Sequence, residues 1–549
     1  MKSPSPGRAT DLLLLVAAVV VYGVLAYGDA LRLPFLQDDW TILEKVMRVP
    51  PAGLIAPTEL LYGWYRPWSR ELHFAVLHGV FGMSPSGYHV VSLALWIAVL
   101  AVYAAYVRRL AGGATAAFAT LGLLAVGAWS GTLLWVSGAQ ELWLLLFTLL
   151  ALQAFASGRT MLATLAGLGA LASKETAAVL PVLAFLHAWR IDRATIGAAL
   201  RRVAPLLVVT AAWLALHPGL RARLGAPGEA EIHPAISLSR SMLACFNFER
   251  VPNPENGWGL GLLVGLAGAL VIAVAAWWLT RKSVAPADPP ARIGAHELGL
   301  GWFAIGLVPA SLAVSWSPYY ALLAACGAWL ALGALLSVRR SLAIAVLAIV
   351  ALLQPVQART PAWEWGGQAF QRRAARYVEP LRLALIRDHP AVPPHTRFYF
   401  ADVPQGVGVG HDWFTPAFRV WYGDTTLHAG FLSSYQPRND GGTDLFYRFD
   451  PPERWIELIV GPEDLARAME MNGTWAEDHK RLALTFGRAR DWERAAVEIE
   501  KLATAYPDNP EYPRNLARCL EEKGDSARAS QWKARADSLE AASTASSPP

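Results

Sequence analysis

The chain has 549 residues, 54% of them hydrophobic and only 17% charged, with a formal net charge of +5. A water-soluble domain carries about a quarter charged residues, so this composition excludes a chain that is soluble throughout. The basic residues sit in short loops between apolar runs, which excludes a nucleic-acid surface and points to membrane orientation. Three cysteines, Cys245, Cys326 and Cys519, are far apart and odd in number, so there is no disulfide framework and no CxxC metal site.

The shortage of charge is confined to residues 1–357, which predicts a multi-pass membrane domain with a water-soluble part after it. Apolar runs fall near 12–32, 87–107, 114–135, 139–157, 160–172, 176–189, 203–217, 259–280, 298–316, 319–338 and 341–357. The first has a basic start, runs to about 20 residues and lacks a clean cleavage site, so it reads as a retained signal-anchor helix. Arg108 and Arg109, Arg159, Arg190 to Arg202, Arg281 and Lys282, and Arg339 and Arg340 mark every second loop. The alternation predicts eleven spans, the N-terminus in the cytoplasm and the C-terminus outside.

The loop after the first run opens with "LPFLQDDWTIL". Asp38 and Asp39 lie about five residues beyond the span, at headgroup depth. A carboxylate there suits a general base for an attacking hydroxyl, and its neighbour suits a divalent cation or acceptor positioning. Further along, Pro67 to Phe81 reads as an amphipathic helix on the membrane surface. Leu72, Ala75, Val76 and Val80 form its apolar positions, and Arg66 and Arg70 stand at its start, where an anion is favoured. His73, His78 and His89 are polar packing in this reading, because their spacing does not align on one face.

Runs 160–172 and 176–189 are shorter than the roughly 17 residues a span needs. Charge parity still requires two crossings, so "ALASKETAAVLP" is an outward turn sunk below the bilayer surface, carrying Lys174 and Glu175. Ionisable groups at that depth are functional candidates; the alternative is a Lys–Glu pair that satisfies only itself. Asp38, Asp39, Arg66, Arg70, Glu71, His73, Glu141, Lys174 and Glu175 all fall on the outer side, which speaks for an outward-opening site rather than a transporter. Loop 218–258 brings Arg240 and Arg250 and is long enough for a lid. "SWSPYY", 315–320, reads as an aromatic turn of the interfacial belt.

After residue 357 the pattern changes. Residues 366–388 read as an amphipathic helix, and "RFYFADVP", "AFRVWYGDTTLHAGFL" and "DLFYRFD…RWIELIVG" alternate like strands. His411 and Asp412 fall in a Gly-rich turn. Residues 476–541 are helical; Leu482, Phe486, Trp492, Ala495 and Pro507, then Gly524 and Ala529, follow a 34-residue repeat. The end, "ASTASSPP", reads as disordered.

"FLQDDW", "YRPWSRELHFAVLHGVFGMSPSGYHVVSLALW", "ASKETAAVLPVLAF" and "WSPYYALLAACGAWLAL" together resemble the GT-C-type integral-membrane glycosyltransferases, especially bacterial relatives of the TPR-containing protein O-mannosyltransferases. The likeness covers roughly residues 12–340 plus the tail. It implies a polytopic α-helical GT-C-like domain of about eleven spans over 1–357, an extracytoplasmic mixed α/β region over 358–475, TPR-like repeats over 476–541 and a tail over 542–549. It implies inverting transfer from a polyprenyl-phosphate sugar to a protein, lipid or glycan acceptor in a bacterial inner membrane, with the C-terminal region periplasmic. Asp38 and Asp39 take the catalytic positions, with a divalent cation on them left open. Arg66 and Lys174 fall on the family's polar positions; from the residue reading alone, Arg70, Glu175, Arg240 and Arg250 join them as substrate- and phosphate-binding candidates, and the TPR tail is a candidate surface for a protein partner. The competing expectation is a non-catalytic membrane scaffold that recruits partners through that tail.

Overall fold

The computed structural model describes the chain apart from residues 1–5, 58–59, 221–232, 250–257, 281–288, 314, 359–366, 405–407, 437, 439, 451–453, 459–478, 481–482, 485, 506–508 and 546–549. It divides into two compact units, Met1–Ala375 and Arg376–Pro549, with the division inside the helix Gln368–Asp388.

The first unit is almost entirely helical. Each of the eleven predicted apolar runs overlaps a helix. Seven of these helices are long and apolar enough to cross a membrane by length and composition, and two shorter ones, Thr160–Ser173 and Arg340–Pro355, are also apolar. The chain is an integral membrane protein. Seven differs from the expected eleven for local reasons. Run 87–107 and the first half of run 114–135 join in one helix, Pro85–Leu124, bent where Ala111 and Gly112 (φ +82°) leave helical geometry, and the second half breaks into the short turns Gly127–Trp129 and Ser130–Leu133. Thr160–Ser173 and Leu180–Arg190 have 14 and 11 residues, too short to span alone.

Long helices pack where small residues let backbones approach. Gly299, Gly306 and Gly327 join Pro289–Ser311 to Leu322–Leu336; a Cβ on Gly327 would lie 2.3 Å from the backbone N of Phe303. Buried amides tie Met1–Ala375 together elsewhere: Asn247 Nδ2 donates to Ala125 O and Val350 O at 2.9 Å each, and Gln368 Nε2 to Ala26 O at 3.2 Å.

The segment expected to be one surface helix is a π-helical turn, Pro67–Leu72, followed by an α-helix, His73–Phe81. Its polar side points inward. Ser69, Arg70, Glu71 and His73 are buried, whereas Val76 and Val80 are 63% and 67% exposed. Of the four apolar positions, Leu72 and Ala75 are only half-buried. Phe74 and Leu77 of the same helix are buried too, so apolar as well as polar side chains face the protein, and of the four expected apolar positions only Val76 and Val80 are exposed.

In the second unit a four-stranded sheet has the order β2-β1-β3-β4: β1 Arg397–Ala401, β2 His428–Phe431, β3 Asp444–Asp450 and β4 Arg454–Glu457. β1 runs parallel to β2 and β3, and β4 is antiparallel to β3. Part of one predicted strand is corrected: Thr415–Tyr422 is a helix, started by Pro416 and ended by Gly423 in left-handed geometry (φ +68°). Three consecutive helices, Trp492–Ala505, Glu511–Lys523 and Ser526–Ala545, share a core of Ala495, Leu502, Leu516, Leu520 and Ala529, with Phe486 and Trp492 against it. Leu482 and Pro507 of the proposed repeat lie outside the described residues.

Candidate functional site

The helix Asp38–Arg48 starts from a tight turn. Gln37 has φ +50° and ψ −121°, and Asp39 N donates to Leu36 O at 3.0 Å. Asp39 is fully buried. Its Oδ2 accepts from Leu36 N at 2.8 Å; its Oδ1 accepts from Ser137 N at 2.8 Å and from the Ser137 hydroxyl. Ser137 is held by the Ser130–Gly138 turn, where a Cβ on Gly138 would meet Gly131 O at 2.1 Å. Asp39 thus ties the first long loop to a turn 98 residues away. Burial raises its carboxyl from 3.8 to about 7, against the pull of these three bonds and with some help from the Asp38 charge.

Asp38 differs. It is half-buried, and it shares a hydrogen bond with the Tyr62 hydroxyl, whose oxygen also lies 3.1 Å from Thr41 Oγ1. Burial raises the Asp38 carboxyl above its usual range; the Tyr62 bond and the charges of Arg70 and Arg66 draw it back. Of the two aspartates, only Asp38 combines solvent access with nearby cations.

Arg66 grips Glu175 through two bonds, Nε to Oε2 at 2.9 Å and Nη2 to Oε1 at 2.6 Å, and donates from Nη1 to Gln140 Oε1 at 2.9 Å. Burial pushes the Glu175 carboxyl up, but the Arg66 charge, its bonds and Lys174 outweigh that and hold it below the usual value. Lys174 Nζ reaches Glu141 Oε2 at 2.5 Å and lies 4.9 and 5.0 Å from the ring centroids of Tyr319 and Tyr320. Lys174 and Glu175 therefore do not satisfy each other; each crosses to a different element. Tyr319 and Trp316 are buried, so "SWSPYY" roofs this cation instead of joining an interfacial belt.

Arg70 donates from Nε and Nη2 to Glu71 Oε1 at 3.0 and 2.8 Å, from Nη1 to Leu61 O at 3.1 Å and from Nη2 to Trp64 O at 2.6 Å. Glu71 also takes Lys45 Nζ at 3.1 Å. Arg70 shapes the loop that carries Tyr62 and Arg66.

Asp38, Asp39, Arg66, Arg70, Lys174 and Glu175 are thus brought together. Arg240 is not part of these ion pairs; its guanidinium lies 4.0 Å from the Trp316 ring centroid. Arg250 lies outside the described residues. The sequence reading missed Lys45, Tyr62, Ser137 and Gln140. Only Gln140 left a signal, being polar beside Glu141 at the head of an apolar run.

Asp39 is poorly placed to hold a cation. Among the described residues no three His, Cys, Asp or Glu side chains come together as ligands, and both Asp39 oxygens already accept from N–H or O–H groups. His73 accepts from Trp143 Nε1 at 3.2 Å, and burial lowers it from 6.5 to about 4; His89 Nδ1 lies 3.0 Å from Leu133 O.

Taken together, the first unit is a polytopic helical membrane domain with a charged cluster built from its first long loop and two later turns. The chain is similar to two crystal structures of ArnT from Cupriavidus metallidurans. To the apo state it has 17% identity and a TM-score of 0.38, covering 74% of this chain and 84% of that one. To the state bound to undecaprenyl phosphate it has 15% identity and a TM-score of 0.40, covering 81% and 93%. No family model and no curated protein matches the chain.

Proposed function

We propose that the chain is a membrane glycosyltransferase that moves a sugar from a polyprenyl-phosphate carrier to an extracytoplasmic acceptor hydroxyl, on a protein or a glycolipid, with inversion. Asp38 takes the proton of the acceptor hydroxyl. The acceptor oxygen attacks the anomeric carbon, and the bond from that carbon to the phosphate oxygen breaks. The electron pair leaves on the polyprenyl phosphate, beside Arg66 and Lys174, whose charges favour the product anion. Asp39 fixes the turn that aims Asp38. In this reading the eleven apolar runs make the crossings, the short pair Thr160–Ser173 and Leu180–Arg190 dipping in and out around Lys174, the N-terminus is cytoplasmic, the C-terminal region is extracytoplasmic and the helical tail is a TPR-like surface for a protein partner.

The observation that carries the reading is the asymmetry of the aspartates: one buried and bonded on both oxygens, the other half-open and facing Arg66 and Arg70. The sequence resemblance supports the carrier class. The scaffold reading draws on a different observation, namely that Arg66, Arg70 and Lys174 each have a carboxylate partner.

The test uses the full chain in proteoliposomes with radiolabelled polyprenyl-phosphate sugars, following release of polyprenyl phosphate. Asp38→Asn should keep the Tm and lower turnover by about 100-fold or more, the scale of a lost general base. Unchanged turnover would favour the scaffold.

A further inference from the structure

A second group of charges lies at the end of the short helix Leu180–Arg190 that points away from the Lys174 turn. There the helix meets Pro289–Ser311 so closely that a Cβ on Gly294 would lie 2.9 Å from Arg190 O. The two helix ends and the turn after Arg190 frame a cavity of about 330 Å³, lined by Trp189, Arg190, Arg193, Ile293, Gly294 and Glu297. None of these residues belongs to the cluster around Asp38.

The charges in this cavity are unevenly matched. Arg190 stacks on Trp189, 3.7 Å from the ring centroid, and its Nη1 lies 3.4 Å from Glu297 Oε2. Asp192 is engaged by Arg202. Arg193 is left over: its guanidinium has no hydrogen bond or ion pair among the described residues. Its backbone is also left-handed, at φ +54°. A Cβ is strained there, and glycine or asparagine would hold the turn at less cost. An arginine is kept instead, with its charge unpaired on the cavity wall. Two cations and one carboxylate leave the cavity with one net positive charge, and the guanidinium supplies donors only.

The apolar surroundings indicate where the matching anion comes from. Val182 and Trp189 on one helix, and Ile293 and Leu300 on the other, are exposed. Each pair is seven residues apart, two turns along one face. Apolar strips therefore run from the cavity along both helices of this membrane domain, with the unpaired charge at their head. A soluble phosphate would use the charge and leave the strips idle; a phospholipid uses both.

We propose that this cavity binds a singly charged anionic phospholipid, with its phosphodiester oxygens on Arg193 and its acyl chains along the Val182–Trp189 and Ile293–Leu300 faces. The site stands apart from the carrier chemistry under Proposed function and requires only that the chain lie in a membrane.

The test titrates dioctanoyl phosphatidylglycerol, dioctanoyl phosphatidylethanolamine or inorganic phosphate into the delipidated full chain in neutral detergent, and reads thermal shift and affinity. Wild type should bind phosphatidylglycerol more tightly than phosphatidylethanolamine by about tenfold, the value of one hydrogen bond between charged groups. Arg193→Asn suits the left-handed turn, so its ligand-free Tm should match wild type while its affinity for phosphatidylglycerol falls about tenfold. Arg201→Gln removes the same charge from the same loop outside the cavity and should keep wild-type affinity. Glu297→Gln removes the competing carboxylate and should tighten binding by about threefold, a gain that a damaged fold does not imitate. Wild-type affinity in Arg193→Asn, or an equal loss in Arg201→Gln, would overturn the site. Equal affinity for the two lipids would overturn the anionic headgroup, and equal stabilisation by inorganic phosphate would overturn the lipid. If Arg193→Asn melts early, Glu297→Gln decides alone: unchanged or weaker binding there would overturn the proposal.

Discussion

Arg66 and Glu175 are 109 residues apart in the chain and meet through two parallel N–H···O bonds of 2.9 and 2.6 Å. This fork joins the first long loop to the turn between two short helices. A planar guanidinium can make it; an ammonium cannot. Arg66→Lys should therefore cost about 1–2 kcal/mol and release Gln140 as well. Chemical denaturation of the purified chain measures the loss, and turnover should fall further than stability does.

The aspartates should separate by phenotype. Asp39→Asn replaces an acceptor of three bonds with a group whose Nδ2 must face an N–H donor, so it should lower stability by about 1–3 kcal/mol. Asp38→Asn should leave thermal melting near wild type and remove turnover. Melting curves and turnover measured on the same preparations would show the two patterns.

The pH dependence has two parts. A base must be deprotonated, and burial raises Asp38 above 3.8, so turnover should climb through an acid limb centred above the ordinary aspartate value. Asp39, raised from 3.8 to about 7, keeps a proton in the folded chain that the unfolded chain has already lost. Its contribution to stability is full below about 4 and falls away as pH climbs to about 7. Melting temperatures across that interval should decline in wild type and decline less in Asp39→Asn.

Lys174 and Glu141 form a buried pair at 2.5 Å. Removing one charge strands the other, so Lys174→Met alone should cost about 3–5 kcal/mol. Adding Glu141→Leu should restore most of that stability without restoring turnover. A double-mutant cycle on melting and activity measures both.

Much of this architecture was legible. The apolar runs needed no partner to be recognised, because hydrophobic composition alone commits them to helices. Polar residues stood out against that background, which is why Asp38, Arg66, Lys174 and Glu175 could be grouped before any contact was known. Their partners were not legible. Nothing local says that Glu175 belongs to Arg66 rather than to its neighbour Lys174, or that Asp39 is bonded to Ser137. Those are facts of packing between distant turns. "AFRVWY" misled because aromatic and β-branched residues suit a strand; the Pro at its start and the left-handed Gly423 after it decided for helix. "SWSPYY" misled because aromatics at a span end usually meet headgroups, and here they cover a buried ammonium.

Val76 and Val80 turn outward while Arg70 and Glu71, a few residues earlier, turn in. In the proposed membrane reading these valines would rest against lipid, so the wall that carries those charges would be backed by hydrocarbon. Detergent exchange that strips annular lipid would loosen this wall before it melts any long helix. Circular dichroism would still report full helicity from a preparation whose loop chemistry had already been lost.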